Sequence, residues 1–251
     1  FQTPMWDFNV QLLTINRGRA GMGEEGIFAR PGEGEHLLRM IDVSRYRDVG
    51  EKATKLLDGE IHESTQIKQL NNPDARIIFG MSKNAEILHR YAKGLAGIQT
   101  GDYPQFGRCF WEIVQCNAWE FEATTPSTTK HINGKTNIIY WQNFDGILAS
   151  RQQKGESCIR GWQAFGKKGI LVGSMQSLPV TNYYGELFDN NSAVIIPKSE
   201  NMLPAIWCFC SSPEYNKEVR KIDQKLNVTN ATLVKVPFDL EHWQRVAAEK
   251  Y

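Results

Sequence analysis

The side chains of this 251-residue chain best suited to chemistry fall in Trp162-Gln163-Ala164-Phe165-Gly166-Lys167-Lys168-Gly169-Ile170-Leu171-Val172-Gly173-Ser174-Met175-Gln176-Ser177-Leu178. A Gly-Lys-Lys-Gly turn offers Lys167 and Lys168 to phosphates, and the strand after it runs into Ser174 and Gln176, whose hydroxyl and amide suit base edges. A solvated hairpin is the competing reading of the same residues. The second stretch is Gly97-Ile98-Gln99-Thr100-Gly101-Asp102-Tyr103-Pro104-Gln105-Phe106-Gly107-Arg108-Cys109-Phe110-Trp111-Glu112, a glycine-bracketed polar turn joined to an arginine and an aromatic run. Gln99, Thr100 and Arg108 are its recognition candidates; a guanidinium packed on an aromatic core around Trp111 is the structural alternative.

Other chemistries lack their residues. The histidines (His36, His62, His89, His131, His242) are scattered without H-x-x-x-H spacing, and the cysteines (Cys109, Cys116, Cys158, Cys208, Cys210) are odd in number and form no C-x-x-C, so neither a metal site nor a disulfide framework is expected. Free thiols in a reducing cytoplasm fit better. There is no Gly-x-Ser-x-Gly elbow and no convincing Asp, Glu-x-Lys nuclease pattern, so no catalytic residue is assigned. The glycines of Arg17 to Gly23 are not followed by a helix that would aim N–H groups at a nucleotide. No apolar run approaches the roughly 20 residues that span a bilayer, so no membrane partner is expected.

The elements that must position these residues follow from periodicity. Phe1 to Ile15 reads as the end of a strand-rich unit already under way, which marks the chain as a piece of a longer protein. Gly18 to Glu35 reads as a loop. Helices are expected over Val49 to Leu57, with Gly59 as the stop, and over Asn84 to Lys93, capped by Asn84 with Gly94 past its end. Asn133-Gly134 between Thr129–Ile132 and Asn137–Trp141 predicts a two-residue hairpin. Gly169 to Met175 and Ala193 to Pro197 read as buried strands, and helices return over Ala205 to Cys210, Pro213 to Leu226 and after an Asp239 cap. The fold class is therefore α+β: a mixed, largely antiparallel sheet with flanking helices.

The formal charge of +1 argues against a uniformly basic protein. Charge is local instead: Arg151, Lys154, Arg160, Lys167 and Lys168 stand against Glu156 alone between positions 151 and 168. That excess suffices for a phosphate footprint.

Ordered blocks along the chain resemble one family. The Gly97 to Glu112 stretch, Trp162 to Gly169, Ser174-Met175-Gln176-Ser177-Leu178-Pro179-Val180, Tyr184 to Asp189, Leu203 to Trp207, Ser212 to Asn216, Val228 to Leu233 and Val236-Pro237-Phe238-Asp239 with Trp243 are similar to the C-terminal half of adenine-specific DNA methyltransferases of the BREX PglX type and of fused type II restriction-modification enzymes. Gln66 and Leu70 to Arg76 fit as well. The resemblance implies the end of a catalytic domain over 1–16, a linker and helical spacer over 17–95, and a target-recognition domain related to type I restriction specificity domains over 96–251. It implies duplex DNA as partner beside a catalytic domain of the same polypeptide, and S-adenosylmethionine as cofactor of the parent protein but none in this piece. In that family an Asn-Pro-Pro-aromatic loop holds and stacks on the flipped adenine; here Asn72-Pro73-Asp74-Ala75 lacks the second proline and the ring, so the loop reads as a turn. The rival function is a protein-interaction scaffold in a phage-defence complex.

Overall fold

The computed structural model describes residues 37–43, 45–65, 68, 69, 72, 77, 78, 86–114 and 116–251, and the chain divides into two compact units between Asn84 and Ala85. The expected strand run of Phe1 to Ile15, the Gly18–Glu35 loop, Pro73 to Ala75 and the Asn84 cap lie outside the described residues.

In the first unit, β1 (Leu37–Met40) pairs antiparallel with β2 (His62–Thr65), Leu37 opposite Thr65. Between them α1 (Val49–Asp58) forms where expected, because the Asp48 carboxylate accepts the Glu51 N–H at 2.9 Å and the Gly59 N–H closes on the Lys55 carbonyl.

The second unit is built on two four-stranded sheets. One has the order β3 (Ala92–Ala96), β10 (Ser192–Pro197), β7 (Gly169–Gly173), β8 (Val180–Tyr183), antiparallel throughout. The other has the order β4 (Gly107–Cys109), β6 (Asn137–Tyr140), β5 (Trp119–Ala123), β9 (Leu187–Phe188), with β5 and β9 parallel. The sheets meet where Ala123 and Phe188 of one pack with Leu171, Val194 and Ile196 of the other. Every residue of β7 is buried, as the unbroken apolar run Gly-Ile-Leu-Val-Gly requires. Around the sheets lie the single turn α2 (Tyr103–Phe106), α3 (Ile147–Gln153), α4 (Leu203–Cys210), α5 (Pro213–Ile222, capped by Ser212) and α6 (Leu240–Lys250, capped by Asp239). The mixed, largely antiparallel α+β class is therefore the observed one.

Two expected elements take another form. The helix over Asn84 to Lys93 is replaced by a 3-10 turn, Leu88–Arg90, and by β3. Its backbone is claimed by distant partners: Leu88 N–H donates to the Val236 carbonyl, Phe238 N–H to the Glu86 carbonyl, and β3 pairs with β10. The Asn133-Gly134 hairpin does not form either. Gly134 adopts the left-handed φ of 64° that the dipeptide promised, but it accepts from the Thr124 N–H, and Lys130 and His131 bond to β8. Strand β6 pairs with β4 and β5 instead, so tertiary pairing overrides the local turn signal. Helix α5 also stops at Ile222, short of the expected Leu226.

Candidate nucleic-acid interface

The turn before β7 carries its cations outward. Arg160, Lys167 and Lys168 are exposed, and none of them forms an ion pair with a carboxylate among the described residues. Arg151, the first cation of the run, is spent on Glu156 at 3.5 Å. The loop folds tightly by local backbone bonds, Ala164 N–H to Gly161 O and Lys167 N–H to Ala164 O. Gly166 N–H then donates to Gly185, whose φ of 104° and contact with the Gly166 backbone leave no room for a Cβ.

The loop that carries Lys167 and Lys168 also supplies Trp162 and Phe165 to a ladder of rings. Buried Phe188 meets Phe165 edge-on at 6.1 Å, Phe165 meets Trp162 at 5.4 Å, and Trp162 meets Phe144 at 4.8 Å. Trp162 remains 44% exposed. Phe144 stacks on buried Trp141 at 5.0 Å and belongs to an unusual turn: Gln142, Asn143 and Phe144 all have left-handed φ, 52°, 52° and 57°. For non-glycine residues that costs about 1–2 kcal/mol each. The turn is held in place by its surroundings. Trp141 and Gln142 both donate to the Ala118 carbonyl, and the Gln142 side chain accepts the Ile147 N–H at 3.1 Å, closing the start of α3. Asn143, at the tip, is exposed.

The sequence candidates are spread over two ends of the unit. Lys167 and Lys168 precede β7, whereas Ser174 and Gln176 follow it, so a fully buried strand separates them. Gln176 is exposed, with a left-handed φ of 52° and its carbonyl held by Arg220 at 2.8 Å. Ser174 is buried, its N–H donating to Asn191 and its carbonyl accepting from Val228. Gln99 is exposed and exchanges both backbone bonds with Cys158. Thr100 is buried. The half-buried Arg108 folds its guanidinium back on the carbonyls of Pro104 and Gly107. Neither Ser174 nor Thr100 offers its side chain to a groove in this conformation.

The Gly97–Glu112 stretch owes its composition to packing. A Cβ on Gly97 would lie 2.3 Å from the carbonyls of Phe188 and Asp189, one on Gly101 (φ 78°) 2.0 Å from the Glu156 carbonyl, and one on Gly107 2.4 Å from the Tyr103 ring. Tyr103 in turn donates to Glu122 at 2.8 Å and accepts from the Asn137 amide at 2.8 Å. Glu122 Oε1 and Asp189 Oδ1 are buried without a hydrogen-bond partner. Burial, reinforced by the Asp189 charge and opposed by the Tyr103 bond, raises the Glu122 carboxyl to about 8, and burial raises Asp189 as well. The alternation of Trp-Glu-Phe-Glu-Ala gave no sign that Glu122, rather than Phe121, would point inward.

No group of three or more metal-ligating side chains occurs among the described residues. The glycines of Arg17 to Gly23 lie outside the described residues.

No family model and no curated protein matches the chain. Among solved structures it is similar to the type IIL restriction-modification enzyme MmeI, determined in complex with DNA, at 15% identity and a TM-score of 0.40, over 69% of this chain. The chain spans only 27% of the length of that protein. A likeness this loose identifies no family. No helix among the described residues is long and apolar enough to cross a membrane.

Proposed function

We propose that this chain is a sequence-specific duplex-DNA recognition module of an S-adenosylmethionine-dependent adenine N6-methyltransferase of the restriction-modification or BREX phage-defence kind, working in the cytoplasm beside a catalytic domain of the same polypeptide. The observation that carries it is the exposed pair Lys167 and Lys168, free of ion pairs among the described residues, on the loop that also carries Trp162 and Phe165, in one of the sequence blocks that resemble that family; exposed Arg160, whose Nε donates to Cys158 Sγ, stands just before that block. Lysines on a turn take phosphates without reading sequence, and exposed amides such as Gln99 and Gln176 are the side chains able to read base edges at the far end of β7. Cofactor and methyl transfer belong to the catalytic domain in this reading.

The test is binding of the chain to fluorescent duplexes. Replacing Lys167 and Lys168 with Ala is expected to weaken binding about equally across sequences and to lower the slope of log affinity against log salt by about 2. An unchanged affinity and slope would remove these lysines, and the reading with them.

A specific observation favours the protein-interaction scaffold as second reading. Phe110, Trp111 and Phe121 form an exposed apolar patch of touching rings, with Trp111 63% exposed. Partner capture that survives high salt, with no retention of DNA, would favour it.

A further inference from the structure

The left-handed turn at 142–144 is the feature that recognition by the lysines leaves unexplained. Its tip, Asn143, is exposed and has no side-chain hydrogen bond among the described residues, and the next residue, Phe144, packs on exposed Trp162 of the loop that follows Arg160 and carries Lys167. Strained backbone that the surroundings over-determine is a mark of a functional position. The over-determination here is concrete: two donors on the Ala118 carbonyl, the Gln142 amide on Ile147 N–H, and Phe144 wedged between Trp141 and Trp162. None of these bonds needs the Asn143 side chain, yet all of them fix the backbone from which it projects.

Resting on the DNA-binding reading above, we infer that Asn143 and Trp162 form a further base-contacting element of this module, besides Gln99 and Gln176, Asn143 reading a base edge through its amide while the exposed edge of Trp162 packs against the nucleotide beside it. An asparagine amide pairs bidentately with the N6 and N7 atoms of adenine in the major groove. The occupant is a nucleic acid because of the charge on the chain flanking Trp162: exposed Arg160, Lys167 and Lys168 supply cations for its backbone. The one acid of the turn, exposed Asp145, suits a cytosine amino group and opposes a phosphate. The ring ladder from Trp162 through Phe165 to Phe188 anchors the contact to the core, which lowers the entropy cost of presenting it.

The experiment selects a preferred duplex from a randomised pool with the wild-type chain and repeats the selection with Asn143→Gly, Trp162→Phe and Trp162→Ala. Glycine accepts the left-handed φ at position 143, so the turn persists and only the amide is lost. The expected result is loss of preference at one base pair with Asn143→Gly, discrimination there and affinity for the preferred duplex both falling about tenfold while the salt slope holds. Trp162→Ala is expected to lower affinity about tenfold at an unchanged salt slope, and Trp162→Phe to restore part of it. If the wild-type chain selects a sequence and loses affinity on removal of Lys167 and Lys168, but the Asn143 and Trp162 variants select the same sequence with the same affinity, this inference fails and the DNA reading stands. If the wild-type chain enriches no duplex, both fail together.

Discussion

Glu122 is the residue whose chemistry is least at ease with its place. It is buried, it shares its surroundings with a second acid, and one oxygen of each lacks a hydrogen-bond partner. Its carboxyl rises from 4.5 to about 8, so the folded state holds a proton that the unfolded chain releases at lower pH. Stability from this group is therefore full below about 4.5 and falls as the pH climbs through 8. Glu122→Gln keeps an acceptor for Tyr103 and supplies an N–H toward Asp189. Thermal melts from pH 5 to 9 are expected to show a flatter slope for Glu122→Gln, with a gain over wild type on the order of 1–3 kcal/mol at pH 9. Parallel curves for the two proteins would show that Glu122 does not titrate in this range.

At the scale of elements, the central strand β7 holds the unit together. Leu171 is fully buried and lies opposite Val194 on β10, in the cluster that joins the two sheets. Leu171→Ala is expected to cost about 2–5 kcal/mol in denaturant melts with little change in the m-value; a loss under 1 kcal/mol would mean that the sheets are not coupled through this strand. This strand and β10 were legible because a short apolar run between turns has few alternatives, and the caps at Ser212 and Asp239 were legible because capping is local. The Asn84–Lys93 helix and the Asn133-Gly134 hairpin were misread for one reason: their backbone partners, Val236, Phe238 and β8 among them, lie far away in sequence. Site residues divide in the same way. Exposure of a Gly-Lys-Lys-Gly turn can be read from composition, whereas burial of Thr100 and Ser174 depends on Asn191, Val228 and other groups that only the fold brings near. Asn143 carried no signal at all, since the left-handed turn it tops is imposed by Ala118, Trp141 and Ile147.

For the molecule as a whole, a net charge of +1 leaves any grip on DNA to its local cations. With about three cations on the binding rim, log affinity for a non-specific duplex is expected to fall against log salt with a slope of about −3, far shallower than for a uniformly basic binder. Titration of the wild-type chain from 50 to 200 mM salt checks this; a slope beyond about −6 would call for a phosphate contact surface elsewhere on the chain.

Pairing of β3 with β10 sets Ala96 opposite Ala193. A ribosome moving at about 5–20 residues per second therefore delivers the first of these strands on the order of 5–20 s before its neighbour exists. For that interval β3 has only bare amide edges to offer, with nothing native beside it. Newborn chains stalled before residue 190 should accordingly be clients of cellular chaperones, and a translational pause there would lengthen the time in which strand edges from neighbouring polysomes can find one another.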